Sequence, residues 1–148
     1  MSRIAGTFER LRAEGRKAVI PYVVAGDPTV DITADLMCAL ADAGADIIEV
    51  GVPFSDPMSE GPVIQRGHER ALERGVRLRT VLATVSAFRE RDGNTPVLLM
   101  GYANPVEHMG HAAFADRAAE AGVDALLTVD VPPEDVEKVS QQLRRVGM

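Results

Sequence analysis

The stretch Ile47-Ile48-Glu49-Val50-Gly51-Val52-Pro53-Phe54-Ser55-Asp56-Pro57-Met58-Ser59-Glu60-Gly61-Pro62 decides how the chain is read. It begins as a short apolar run, which predicts a strand, with a single acid inside it. It ends in a loop of Pro, Ser, Asp and Gly that carries two more acids. A lone carboxylate on an apolar strand is costly to bury as an ion. Glu60 stands eleven residues after Glu49, in the loop that follows, which pairs the two acids at the strand's C-terminal end. Any chemistry in this chain is expected there.

Working outward, the same alternation repeats on both sides. Upstream, Ser2 to Glu14 predicts a helix with Ile4, Phe8 and Leu11 on one face, Ser2 as its cap and Gly15 at its end. Ala18 to Ala25 is apolar and β-branched, which predicts a strand buried on both faces. A turn at Gly26 to Thr29 leads into a helix from Pro28 to Ala43, with Ile32, Leu36, Leu40 and Ala43 as its stripe and Asp27 as its cap. Downstream, Pro62 opens a helix whose apolar positions include Ile64, Ala71 and Leu72, and Gly75 closes it. Leu78 to Arg91 is another helix, carried by Val81, Leu82, Val85 and Phe88. Val97 to Met100 is the third strand and Gly101 to Pro105 its exit loop. A helix from Gly110 to Ala121 with Ala112, Phe114 and Ala118 precedes the fourth strand, Asp124 to Val129. After Asp130-Val131-Pro132-Pro133, a last helix runs through Val136, Val139, Leu143 and Val146.

Strands alternating with amphipathic helices form a parallel sheet with right-handed crossovers. A doubly wound, dinucleotide-binding sheet would carry a glycine-rich fingerprint in its first turn, and Ala25-Gly26-Asp27-Pro28-Thr29 has none. A (β/α)8 TIM barrel collects its reacting groups at the C-terminal ends of several strands. Polar residues stand at the ends of all four strands here: Asp27, Glu49 with Glu60, Tyr102 with Asn104, and Asp130. The barrel is therefore expected. A barrel takes about 250 residues, and these 148 supply the N-terminal helix and the first four β/α units, the N-terminal half of one barrel domain. Half a barrel leaves two sheet edges unpaired and an apolar face open. Either the chain is part of a longer polypeptide, the preferred reading, or two copies close on each other.

Composition narrows the function classes. A net charge of -6, with 14 Arg and 2 Lys scattered along the chain, argues against a nucleic-acid or anionic-membrane surface. The arginines between Arg66 and Arg79 alternate with glutamates and read as a solvated helix face. The single cysteine, Cys38, permits no internal disulfide and reads as an inert core residue. No apolar run reaches transmembrane length and no signal-peptide core is present, so a cytoplasmic location is expected. His108 and His111 lack a third ligand, so no metal is expected, and His68 reads as a surface residue. For Glu49, burial would raise its pKa and suit it to moving protons, while a structural acid bonded to backbone N–H groups of the next loop fits the spacing equally. Glu60, before Gly61-Pro62, suits a helix N-terminus electrostatically, and Asp56 suits a turn cap.

Larger motifs carry more. Ile20 to Pro28, Glu49 to Pro57 continued by Gly61 to Gln65, Gly101 to Pro105, and Val129 to Pro132 together resemble the alpha subunit of tryptophan synthase, over all 148 residues and the N-terminal part of that family. The resemblance implies retro-aldol cleavage of indole-3-glycerol phosphate to indole and glyceraldehyde 3-phosphate. It implies no cofactor in this subunit. A beta subunit carrying pyridoxal phosphate would take the indole, in an alpha2-beta2 complex. It makes Glu49 the acid/base and places Glu60 where the family has Asp, facing the indole N–H. It puts Tyr22, Met100, Tyr102, Leu127 and Val129 on the substrate pocket, with Tyr22 and Met100 where Phe and Leu are commoner. It sets Pro53, Asp56, Asn104, Asp130 and Pro132 toward the beta subunit. The family's phosphate-binding and mobile loops belong to the other half of the barrel, so the isolated 148-residue chain is expected to be inactive. Against this enzyme reading stands a second: an alpha-like module, weakened by the longer arm of Glu60, that binds and activates a beta subunit. A third reading, a homodimeric half barrel of unrelated use, is weaker.

Overall fold

Four parallel strands lie side by side in chain order, β1-β2-β3-β4, with no reversal. They are β1 (Tyr22–Val24), β2 (Ile48–Gly51), β3 (Val97–Gly101) and β4 (Ala125–Thr128). The computed structural model describes residues 2–148. A doubly wound sheet reverses its strand order at the ligand crevice, whereas a barrel wall advances one strand at a time. The order seen is that of the barrel wall. Helices α1 (Arg3–Glu14), α2 (Val30–Asp42), α3 (Pro62–Glu73), α4 (Leu78–Arg89), α5 (Ala103–Met109), α6 (His111–Ala121) and α7 (Glu137–Arg145) complete the element list. Two helices therefore follow β2 and two follow β3.

The register sorts residues into two faces. Val23, Val50, Leu99 and Leu126 are neighbours on one face, beneath the helices. Ile48, Val50, Val97 and Leu99 there are fully buried, packed with Met37, Val81, Val85, Phe88 and Phe114 from the helices. Tyr22, Glu49, Leu98 and Ala125 form one row of the opposite face, and Val24, Gly51, Met100 and Leu127 form the next row. This second face is the interior of the barrel wall, and Leu127 on it is 40% exposed.

Several local expectations are corrected. The expected first strand, Ala18 to Ala25, shrinks to three residues, and Val19 and Ile20 are exposed because β1 is a sheet edge. The α2 stripe turns by about a quarter: Thr33, Met37 and Cys38 are buried, while Ile32 is exposed. Thr33 sets this rotation, since its Oγ1 accepts from the Gly26 N–H and donates to the Thr29 carbonyl. Asp27 does not cap α2, whose N-cap is Thr29. It instead makes a two-pronged ion pair with Arg70 of α3, at 2.8 and 2.7 Å, which holds its carboxyl below the usual range. Within the arginine-rich face, Arg70 is thus tied down. Phe8 is 38% exposed rather than packed, and Ser2 makes no side-chain cap bond. The expected exit loop after β3 is already helical from Ala103, because the Asp130 carboxylate accepts the Ala103 N–H at 2.8 Å and stands in for a local cap.

Two buried acids stitch the opposite ends of the strands. Asp46, just before β2, accepts from Arg16 at 2.6 and 3.0 Å and from the Val19 N–H at 2.9 Å. Asp124, just before β4, accepts from Arg89, from the Val97 N–H and from Arg3. Both lie at strand starts, the stability end of a barrel wall.

Candidate functional site

At the C-terminal ends of the strands, the sequence brings a different set together. Glu49 projects onto the interior face and is half buried; withdrawal from water pushes its pKa up. Tyr22 lies beside it in register, and its phenol pKa is raised by burial and by the charges of Glu60 and Glu49. One phenol thus feels both carboxylates. The Tyr22 ring leans over Gly51, where any Cβ would collide with its hydroxyl. Glycine at 51 is what admits the tyrosine.

Glu60 is anchored from β3. The Tyr102 hydroxyl donates to Glu60 Oε2 at 2.7 Å and accepts the Ser59 N–H at 3.0 Å. Tyr102 is 4% exposed, and its ring stacks on Phe54 with centroids 4.8 Å apart and planes at 23°. The loop between Gly51 and Pro62 is therefore held over the strand ends by an aromatic pair and two hydrogen bonds. Gln65 adds a third, to the Pro57 carbonyl at 3.0 Å.

His68 is not on the surface. It is 1% exposed, in the middle of α3. Its Nδ1 accepts the Phe54 N–H at 3.1 Å, and its Nε2 lies 3.1 Å from the Tyr22 hydroxyl. Burial lowers its pKa, against an opposing pull from Glu60. The signal was available in the stripe: Ile64, His68 and Ala71 recur at helical spacing, so the histidine shares the buried face.

The remaining positions sort by exposure. Met100 and Val129 are partly buried, and Leu127 is exposed on the interior face. Pro53 is buried within the chain, whereas Asp56, Asn104, Asp130 and Pro132 are exposed. Asp56 accepts from the neighbouring Ser55 hydroxyl at 2.6 Å. A cavity of about 710 Å³ opens beside this loop, between Pro53, Arg77, Asn104 and Arg117. His111 contacts Glu107 at 2.7 Å, and no cluster of three potential metal ligands occurs among the described residues. Chemically, the arrangement offers a carboxyl with raised pKa in the interior, a second carboxylate fixed by a phenol, and an apolar wall between.

Comparison with known proteins agrees with this geometry. The sequence model of the family described as tryptophan synthase alpha chain matches residues 8–148. The tryptophan synthase alpha chain of Leptothrix cholodnii is 62% identical over 148 residues, all of this chain and 55% of that protein. Tryptophan synthase subunit alpha from Legionella pneumophila superposes with a TM-score of 0.98 at 49% identity, over 100% of this chain and 56% of the other. The tryptophan synthase complex of Pyrococcus furiosus matches at a TM-score of 0.83 and 40% identity, over 88% of this chain and 53% of the other. The chain spans about half the length of the curated relatives it matches. It belongs to the tryptophan synthase alpha chain family, and its fold is the N-terminal half of that family's (β/α)8 barrel.

Proposed function

We propose that this segment supplies the proton-transfer half of an alpha-subunit active site, which cleaves indole-3-glycerol phosphate to indole and glyceraldehyde 3-phosphate in tryptophan biosynthesis. The observation that carries the reading is the placement of Glu49: half buried on the interior face, its pKa raised, with Glu60 acting on the same phenol. Breaking the C–C bond requires a proton delivered to indole C3 and one removed from the glycerol hydroxyl. A single carboxyl with a pKa nearer neutrality performs both in turn. As the ring takes up its proton, the indole N–H grows more acidic, and a fixed carboxylate facing it stabilises the transition state. Glu60 takes that role, with Tyr102 holding it. Tyr22, Met100, Tyr102, Leu127 and Val129 form the pocket wall.

Partner binding follows the same end of the sheet. Met58 and Val63 are 80% and 71% exposed, on and beside the loop that carries Asp56. With Asn104, Asp130 and Pro132 also exposed, this surface suits a tryptophan synthase beta subunit in an alpha2-beta2 complex. Pyridoxal phosphate belongs to that subunit; this chain needs no cofactor for its step. The cytoplasm is the compartment in keeping with such a biosynthetic complex, and no helix among the described residues is long and apolar enough to cross a membrane.

The direct test is a full-length alpha chain bearing this segment, assayed for release of glyceraldehyde 3-phosphate. Glu49→Gln should lower kcat by at least about 100-fold. A variant that keeps the parent rate would overturn the assignment. The second reading, a weakened module that only activates a beta subunit, is favoured by the unusual Glu60 and predicts a large gain on Glu60→Asp.

A further inference from the structure

Position 68 is absorbed by nothing in the scheme above, yet it is one of the most deeply buried polar side chains in the chain. A backbone N–H can only donate, so the Phe54 N–H fixes His68 Nδ1 as an unprotonated acceptor. The ring is then neutral and carries its hydrogen on Nε2. That hydrogen points to Tyr22 Oη at 3.1 Å, so the tyrosine oxygen accepts. The Tyr22 hydroxyl hydrogen is left over, and no other protein partner for it occurs among the described residues. Tyr22 stands on the interior face, above Gly51 and beside Glu49. A half-buried phenol with one committed lone pair and one uncommitted hydrogen is a donor awaiting an acceptor.

We propose that His68 is a positioning residue that turns the Tyr22 hydroxyl into a hydrogen-bond donor of the ligand pocket, selective for ligands with a hydroxyl oxygen on the arm attached to the indole ring. The inference rests on the function proposed above and adds a specificity element to it. Phenylalanine at 22 would supply the same apolar wall without the donor, and a helix residue lacking a ring nitrogen at 68 would leave the phenol unoriented. The two positions therefore act as one unit. His68 also ties Phe54 to Tyr22, so the loop that stacks on Tyr102 and the interior wall share one anchor.

The experiment compares two probes on a full-length alpha chain bearing this segment and Glu49→Gln, which prevents turnover. One probe is indole-3-glycerol phosphate; the other is indole-3-propanol phosphate, the same skeleton without the two secondary hydroxyls. Tyr22→Phe removes only the hydroxyl and should weaken the first probe by about threefold to tenfold, leaving the second unchanged. His68→Asn retains an acceptor for the Phe54 N–H but loses the Nε2 donor, and should give the same selective loss. The double variant should be no worse than either single one, because the two residues share one interaction. Equal weakening of both probes, no weakening of either, or additive losses would overturn the proposal. Should His68→Asn fail to fold, His68→Ala, smaller and helix-favouring, takes its place with the same selective loss expected. If the Glu49→Gln parent binds neither probe, the functional reading itself falls, an outcome distinct from loss of selectivity alone.

Discussion

The Tyr102 hydroxyl sits 2.7 Å from Glu60 Oε2 while accepting the Ser59 N–H, so one phenol fixes both the acid and the backbone before it. A glutamate reaches farther than an aspartate, and here its carboxylate is met and held by a neighbour. Tyr102→Phe in a full-length chain should therefore lower kcat/KM by roughly 10- to 100-fold, the value of a hydrogen bond to a charged group. Steady-state cleavage assays check this, and an unchanged kcat/KM would sever Glu60 from the reaction.

Shortening the same arm is the complementary experiment. Glu60→Asp withdraws the carboxylate by about 1–1.5 Å, a displacement that can alter rate by roughly 100-fold. Because Tyr102 already engages the longer side chain, a loss of cleavage is expected. A large gain would instead support the beta-activating module.

Glu49 sets an acid limb. Burial raises its pKa, so it holds its proton to higher pH than an ordinary glutamate near 4.3. The base form, which removes the hydroxyl proton, is therefore lost as pH falls, and at a higher pH than for an ordinary glutamate. The kcat/KM profile should fall with acid at a pH above the ordinary glutamate range, and Glu49→Asp should move that limb. A limb at the ordinary value would show that Glu49 is solvated in the free enzyme.

Asp46 controls acid stability by the opposite sign. The Arg16 guanidinium, above all, lowers its carboxyl pKa to about 2 in the folded protein, against about 3.9 in an unfolded chain. The native state thus binds fewer protons, and this contribution is complete above the unfolded value. It drains away as pH falls from about 4 towards about 2. Asp46→Asn should cost about 1–3 kcal/mol at neutral pH and flatten the acid dependence in urea titrations. Asp124→Asn is the harsher change, since it takes the paired carboxylate from the nearly buried Arg89 and leaves that cation only its bonds to the Gly122, Asp92 and Thr95 carbonyls; a loss of about 3 kcal/mol is expected.

Residues 1–148 expressed alone present β1 and β4 as open edges and Val19, Ile20 and Leu127 as exposed apolar surface. Such a chain should self-associate, eluting well above its 15.9 kDa, and show no measurable cleavage. A monomer with turnover comparable to a full-length alpha chain would contradict both expectations.

Much of this was legible in the sequence because the signals were local. Apolar runs, Pro62 at a helix start and Gly15 and Gly122 at helix ends act within one turn of chain. The α4 stripe of Val81, Leu82, Val85 and Phe88 is buried as expected. What stayed hidden depends on partners far along the chain. Thr33 rotates α2 through a bond to Gly26, Asp27 leaves its helix for Arg70, and Asp130 starts α5 from 27 residues away. His68 misled for another reason: its chemistry says surface while its position says core, and the structure resolves the conflict by satisfying both ring nitrogens. Motif and spacing point to Glu49 and Glu60, but Tyr102 as the holder of Glu60 emerges only from the packing of β3 against the loop.

The lean of Tyr22 over Gly51 has a consequence for how this segment can change over time. Neither position is free to drift alone: a methyl at 51 strikes the phenol oxygen and also the ring itself, 2.7 Å from Cζ, so only a non-aromatic side chain at 22 removes the obstacle. Substitution order then matters, with 22 shrinking before 51 grows. Lineages should show the two sites varying in step, with side chains at 51 confined to backgrounds that lack an aromatic ring at 22. A library randomised at both positions and selected for tryptophan prototrophy would display that dependence as epistasis between a pair of neighbouring strands.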